Sequence, residues 1–303
     1  DIRIGFESTA HYALNLELFL ENAHHSFMEV NPVLIKEYKK STTLRRTKTD
    51  SVDCESIARW LITVEYKPHS KGFYHAYSLK SLTRLRDRLI RQRSFYLVKI
   101  TNVLDHTFPE FKPFFNERLS KTALYLLENY GSAEKMARMN SASYDKLRCI
   151  SRGKFSIQQF LRLKELAANT VGVNNSIFDL ELNTLLTLYK SLSDEINTLE
   201  TEIIKLIEEV HPHYMSIPGI GPISAAVIYA EYGDISNFSN PGQMLAFAGI
   251  EPGINDSGTE SHGGRMVKHG SSQLRYVLLN ACLPLIRFDL TFATYYEKKR
   301  AEG

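Results

Sequence analysis

Cysteine is scarce in this chain: 3 in 303 residues, at Cys54, Cys149 and Cys282. They lie far apart with no CxxC pair, so neither a zinc site nor a disulfide framework is expected, and a reducing, cytoplasmic setting fits. No apolar run is long enough to span a bilayer and no signal-peptide pattern is present, so no membrane partner is expected. There is no internal repeat and no low-complexity stretch. An excess of one charge is also missing. Lys and Arg number 37 against 34 Asp and Glu, a net charge of +3, short of the basic balance that by itself marks a nucleic-acid binder. What is present is an ordinary apolar fraction, 43%, enough to build a sizeable core. The length suits two or three domains.

Charge is uneven locally. Lys39 to Lys48 and Arg84 to Arg93 are basic runs, while Glu195 to Glu209 is mostly acidic. Basic runs can neutralise phosphates, although surface helices often carry such charge with no partner.

Hydrophobic periodicity divides the chain into three. Residues 1–70 read as α/β: a strand over Ile2–Glu7, a helix over Ala10–Asn22, a strand over Ser26–Val30, a short helix opened by Pro32, and a helix over Asp50–Val64. Residues 71–212 read as helical. A long amphipathic helix covers 78–107, with Leu82, Leu85, Leu89, Tyr96, Ile100 and Val103 as its stripe, and several short helices follow. Over 182–210 the apolar residues step alternately by three and four, from Leu182 to Val210, the seam of a coiled coil. Its partner is either the 78–107 helix folded back or another subunit. Residues 213–303 read as a third unit: helix–hairpin–helix-like over Met215–Tyr232, a helix started by Asn240-Pro241-Gly242, a Gly-rich loop or hairpin over Gly249–Gly270, and a helix over Ser271–Leu290.

Several residues could carry chemistry. Asp50 and Asp53 stand at i and i+3 and share a helix face. Two adjacent carboxylates repel unless a cation lies between them, and Mg²⁺ takes oxygen ligands while keeping several waters. Glu7, at the end of a strand, could complete such a site. Helix capping by Thr49 or Asp50 is the plainer reading. Gly219 and Gly221 would let the backbone approach a DNA phosphate, with the helix N-terminus after them favouring an anion. An ordinary helical hairpin fits equally. Ser257 lies in a polar, flexible segment and would act as a nucleophile only if its proton is removed or the developing charge is stabilised. Arg265, Lys268 and Arg275 follow as candidate phosphate clamps on DNA. A turn serine is the bland alternative. His262 and His269 read as surface residues, and Tyr276 as packing.

In combination these segments resemble a known family. GFESTAHY, TDSVDCESIA, the coiled coil, IPGIGPISAAVIYAEYGDISNFSNPGQMLAFAGIEP and SGT followed by GGRMVKHGSSQLRYVLLNA are similar to the DEDD transposases of bacterial and archaeal insertion sequences, the IS110 family of bridge-RNA-guided recombinases. The resemblance implies α/β plus mostly α architecture: a RuvC/RNase H-like metal domain, long coiled-coil helices, and a C-terminal transposase domain. It implies that Glu7, Asp50 and Asp53 hold Mg²⁺, and that Ser257 is the nucleophile forming a phosphoserine link to DNA. Donor and target DNA and a structured noncoding guide RNA are the implied partners. The implied assembly is a dimer through the coiled coil and a tetramer on DNA, with the metal domain of one subunit meeting the serine of another. The implied setting is the prokaryotic cytoplasm, near the nucleoid. The family's first Asp precedes its Glu, and no residue here matches it. The expectation is an N-terminally truncated metal domain with little activity. Two alternatives stay open: a RuvC-like junction nuclease without serine chemistry, and a non-enzymatic protein that bridges nucleic acids.

Overall fold

The protein is described from a computed structural model, which covers residues 2–7, 13–43, 49–66, 68, 73–116, 119–233, 235–257 and 260–302. It forms two compact units, Asp1–Phe73 and Tyr74–Gly303.

The first unit is built on a βαβ element. Strands β1 (Ile4–Glu7) and β2 (Phe27–Val30) pair in parallel, Ile4 with Phe27 through Glu7 with Val30, and α1 (Ala13–Asn22) connects them. Helix α2 (Pro32–Thr42) starts where the Asn31 side chain accepts from the Val33 amide at 2.9 Å, with Pro32 in the first turn. Helix α3 (Asp50–Thr63) starts on Thr49, whose hydroxyl accepts from the Val52 amide. Side chains alternate across a sheet, so Gly5 and Glu7 share one face. A Cβ on Gly5 would come within 2.6 Å of Leu61, so this face lies under α3. Val30, Ile35 and Leu61 form the small core there, with Met28, Ile57, Trp60 and Tyr66 packed around it. On the other face Phe6 stacks on Phe27 at 5.5 Å. Two paired strands are fewer than a complete RuvC-like sheet contains, and among the described residues no third strand joins them.

In the second unit two long helices, α4 (Phe73–Thr107) and α10 (Ser176–Val210), run antiparallel. Leu79 shares a core with Ile203 and Ile207, Arg86 pairs with Glu200, and Ile100, Val103 and Leu104 share a second core with Leu182 and Leu186. The apolar seam of α10 is therefore met by α4 of the same chain. The buried positions are Leu182, Leu186, Ile196, Ile203 and Ile207. Leu185, Leu199 and Leu206 of the expected heptad are only half-buried. A straight helix drifts about 20° per heptad, and short helices covering both ends of α10 take up that drift. At one end these are α5 (Phe111–Phe114), α6 (Lys121–Tyr130), α7 (Ala133–Ala137), α8 (Ser141–Ile150) and α9 (Ile157–Ala168). Each of the last four starts on a side-chain cap, from Ser120, Ser132, Asn140 and Ser156 respectively.

At the other end α11 (Pro222–Tyr232) packs Ala225, Ala226 and Ala230 on Leu79, Ile203 and Ile207. A single 3-10 turn, His213–Ser216, precedes it where the first α-helix of a helix–hairpin–helix was expected. Then come α12 (Pro241–Ala248), the antiparallel hairpin of β3 (Pro252–Ser257) and β4 (Glu260–Met266), and two helices, α13 (Ser272–Phe288) and α14 (Leu290–Glu302). The expected Ser271–Leu290 helix stops at Phe288 because Asp289 caps a new one, its carboxylate accepting from the Thr291 and Phe292 amides. The axes of α13 and α14 differ by 105°, and among the described residues no single helix is long and apolar enough to cross a membrane.

Candidate functional site

The carboxylates of the first unit are arranged by its sheet and by the start of α3. Glu7 ends β1 on the α3 side, and Asp50 and Asp53 occupy the first turn of α3, where negative charge suits the helix dipole. Asp50 is exposed. Asp53 is ion-paired through Oδ1 with Lys39 of α2. That ammonium already answers the carboxylate, so a divalent cation at this oxygen would have to displace it. Among the described residues no three His, Cys, Asp or Glu side chains converge as a metal-holding set. The donor type fits Mg²⁺, and Asp50 with Asp53 supplies two adjacent donors, but Glu7 does not close the set. Lys39 is a neighbour that spacing along α3 could not reveal. The Lys39–Lys48 run could serve phosphates or be plain surface charge, and here its first residue answers a carboxylate; residues 44–48 lie outside the described residues.

The turn before α11 has a definite geometry. The Ile220 amide donates to the Ile217 carbonyl at 3.0 Å, with Pro218 and Gly219 between them and Gly219 at φ 93°. Pro followed by a left-handed Gly is the type II turn pattern. A Cβ on Gly219 would come within 3.0 Å of the Ala281 carbonyl and of Pro284, so this glycine packs on α13. Gly221 differs. It is the N-cap of α11, no side chain caps the helix there, and a Cβ on it would meet nothing within 4 Å. The open helix N-terminus, with Pro222 in its first turn, is the part of this motif suited to an anion.

Ser257 is the last paired residue of β3, opposite Glu260, at the tip of the hairpin. Gly258 and Thr259 lie outside the described residues. Gly264 crosses the Gly253 carbonyl so closely that a Cβ would fall 1.9 Å from it, and the register slips between Pro252 and Ile254. Arg265 stands opposite Gly253 at the base of the hairpin, so Ser257 and Arg265 are separated by about 14 Å of strand. Arg265 and Lys268 are exposed, and Lys268 has a left-handed backbone, φ 57°. Arg275 is half-buried and donates from Nη1 to the Ala248 carbonyl at 3.1 Å, closing the C-terminus of α12. The three expected phosphate clamps therefore do not surround Ser257 within one chain, and one of them has a structural partner.

Sequence reasoning missed Glu231 beneath this site. Its carboxylate is buried and takes a two-pronged hydrogen bond from Arg84, at 2.8 and 3.0 Å, with Lys80 at 4.0 Å. Burial pushes its pKa up, but Arg84, Lys80 and a hydrogen bond from Ser271 outweigh that and hold it below the ordinary carboxylate range. Ser271 also caps α13, accepting from the Leu274 amide. Glu231 thus ties α11 to α4. An acidic residue late in an apolar helix (PISAAVIYAEY) was the available signal.

Comparison with known proteins places these segments. A family model described as "Transposase IS116/IS110/IS902 family" matches residues 212–297, and a DEDD transposase model matches residues 1–109. The chain is 28% identical over 214 residues to "Insertion element IS110 uncharacterized 43.6 kDa protein" of Streptomyces coelicolor, covering 68% of this chain and 52% of that protein. It is 25% identical over 260 residues to "Transposase for insertion sequence element IS1111A" of Coxiella burnetii, covering 85% and 59%. It is 27% identical over 275 residues to "Insertion element IS900 uncharacterized 42 kDa protein" of Mycobacterium paratuberculosis, covering 84% and 66%. The chain thus spans about half to two thirds of the length of these relatives. With both its N-terminal carboxylate unit and its C-terminal hairpin unit matched in order, the chain belongs to the IS110 family of insertion-sequence transposases.

Proposed function

We propose that the chain cuts and rejoins DNA as an insertion-sequence transposase, with Ser257 as nucleophile and with Glu7, Asp50 and Asp53 as ligands that would have to close around Mg²⁺ in place of the Lys39 pairing. The observation that carries this reading is that one family match falls on the unit bearing the carboxylates and the other on the unit bearing the serine hairpin. The ion, when bound, neutralises charge on the phosphate. The remaining chemistry belongs to the chain. Ser257 Oγ bonds to a backbone phosphorus and gives up its proton to a base. The bond from phosphorus to the displaced sugar oxygen breaks, and that oxygen takes a proton. A phosphoserine link keeps the phosphodiester bond energy, so attack by a sugar hydroxyl on the link rejoins DNA and regenerates the serine.

The DNA backbone is held at the open N-terminus of α11 beside Gly221, and by the exposed Arg265 and Lys268. In this reading Gly219 shapes the turn and Arg275 holds α12. A cationic base about 14 Å from the serine tip means that a phosphate at Ser257 is clamped by groups from elsewhere. That agrees with a composite site assembled from two subunits in a tetramer. With α4 and α10 paired inside one chain, a dimer would form on their outer faces. Choice of site by a structured guide RNA rests on the family resemblance.

The test is covalent trapping on the full chain with donor and target DNA, the element's flanking RNA and Mg²⁺. A nucleotide adduct on Ser257 found by mass spectrometry, and lost in Ser257→Ala, is the expected result. The same separation between Ser257 and its cations favours a second reading, a junction nuclease that uses carboxylates and water. Cleavage that survives Ser257→Ala without an adduct would establish it.

A further inference from the structure

We propose that the turn between α8 and α9 is a separate nucleic-acid contact, a rigid cationic corner that grips the phosphodiester backbone of a strand. This rests on reading the chain as a nucleic-acid enzyme, and it adds a surface far in sequence from the carboxylates and from the serine hairpin. Lys146 and Arg148 lie in the last turns of α8, Arg152 and Lys154 in the turn itself, and all four are exposed. None of the four forms an ion pair among the described residues. The one carboxylate within the segment, Asp145, leaves a strong positive excess.

The contrast with the rest of this unit is informative. The basic run on α4 is largely consumed internally: Arg84 by Glu231, Arg86 by Glu200, and Arg91 by Asp87. Nearby, Arg138 at the end of α7 pairs with Glu134, and Arg162 of α9 pairs with Glu165. Favourable interaction with the C-terminal dipole of α8 accounts for Lys146 and Arg148. It does not account for Arg152 and Lys154, which lie beyond the helix.

The corner is also preorganised. The Gly153 amide donates to the Arg148 carbonyl at 2.8 Å, and the Phe155 amide donates to Ser151 Oγ at 3.0 Å. Phe155 is buried against the rings of Phe114 and Phe115. Ser156 and Gln159 close a capping box at the start of α9. Arg152 holds a left-handed backbone, φ 53°, where Gly or Asn would strain less. Outward of Gly153 the space is open. Because the turn amides at Arg152, Gly153 and Lys154 are spent on internal carbonyls, no nest remains to wrap a single small anion. Fixed, spaced cations beside the N-terminus of α9 suit a polyanion instead.

The test measures binding of the full chain to two probes, a duplex DNA and a folded RNA hairpin, across a salt series. The triple variant Arg148→Gln, Arg152→Asn, Lys154→Gln is compared with the parent, with circular dichroism confirming equal folding. Each lost phosphate contact lowers the slope of log affinity against log salt by about one. The expected result is a slope shallower by about 2 to 3 and affinity at least tenfold weaker near 0.1 M salt. Loss confined to the duplex assigns the surface to DNA, and loss confined to the hairpin assigns it to RNA. Parent-like slopes with both probes would overturn this inference while leaving the transposase reading intact. A parent chain that binds neither probe at any salt would overturn both.

Discussion

Glu17 and Glu231 are both carboxylates on helices, 3% and 4% exposed, one in each unit. Their surroundings are opposite. Glu231 has a forked arginine, a lysine and a serine hydroxyl around it, and its pKa is held down. Glu17 on α1 has an oxygen with no hydrogen-bond partner. Burial, with Glu29 of β2 and Glu21 adding like charge, pushes its pKa up to about 7. The second unit uses its buried charge as a fastener. The first unit carries one that destabilises it, on the face opposite Glu7. Burial alone therefore does not say whether a charge holds a fold together; the partners decide.

The largest effect expected from breaking this contrast is at Glu231. Glu231→Ala removes the forked hydrogen bond to Arg84, whose half-exposed guanidinium can turn to water, and the second unit should lose about 2 to 3 kcal/mol. Chemical denaturation followed by far-ultraviolet circular dichroism reads this, because that unit is helix-rich. Its acid limb has a definite sign. With the folded pKa below the ordinary one, the Glu231 contribution is complete above the usual carboxylate range and is lost as pH falls through the lower folded value. A Glu231→Ala chain whose helices melt like the parent's at neutral pH would remove the fastener interpretation.

Next in size is Glu17, with the opposite sign. Its folded pKa of about 7 against 4.5 means that the native unit keeps a proton which the unfolded chain gives up. The Glu17 contribution to the stability of the first unit is most favourable below pH 4.5, falls as pH rises to about 7, and is flat above. Glu17→Gln should therefore stabilise that unit by on the order of 2 kcal/mol at pH 8 and change little at pH 4. Trp60, the single tryptophan, packs on the core of the first unit, so its fluorescence reports that unit by itself. A Trp60 transition that moves equally at both pH values would show that Glu17 is not the titrating group.

Much of the scaffold was legible because local physics sets it. Asn31-Pro32, Thr49-Asp50 and Asn240-Pro241 announce helix starts, and each starts a helix. The three-four stepping of α10 marked a buried seam, but sequence could not choose its partner, since α4 and a second copy offer the same leucines. The Asp289 break is readable as a cap, but apolar periodicity that continues to Leu290 hides it. The candidate site was less legible. Asp50, Asp53 and Glu7 were found by spacing and resemblance, yet Lys39 comes from another helix. The pairings of Arg84 and Arg86 span 147 and 114 residues. Long-range charge pairing is what turned one basic run into scaffold, while the cations of Lys146–Lys154, within the stretch of short helices, have no ion-pair partner among the described residues.

The smallest effect sharpens the contrast most. If Glu231 and Arg84 matter mainly because each would be costly alone, removing both should cost little. The pair Arg84→Met with Glu231→Leu keeps volume and takes both charges out of a site where desolvation opposes their attraction. Replacing a buried ion pair in this way is near neutral in stability, so a change within about 1 kcal/mol of the parent is expected, against about 2 to 3 kcal/mol for Glu231→Ala alone. The acid limb assigned to Glu231 should vanish with it. If the double variant is as stable as the parent but DNA cleavage falls, the charge pair is retained for placing α11 and its open N-terminus against α4. Unchanged cleavage would leave the pair with a fastening role alone.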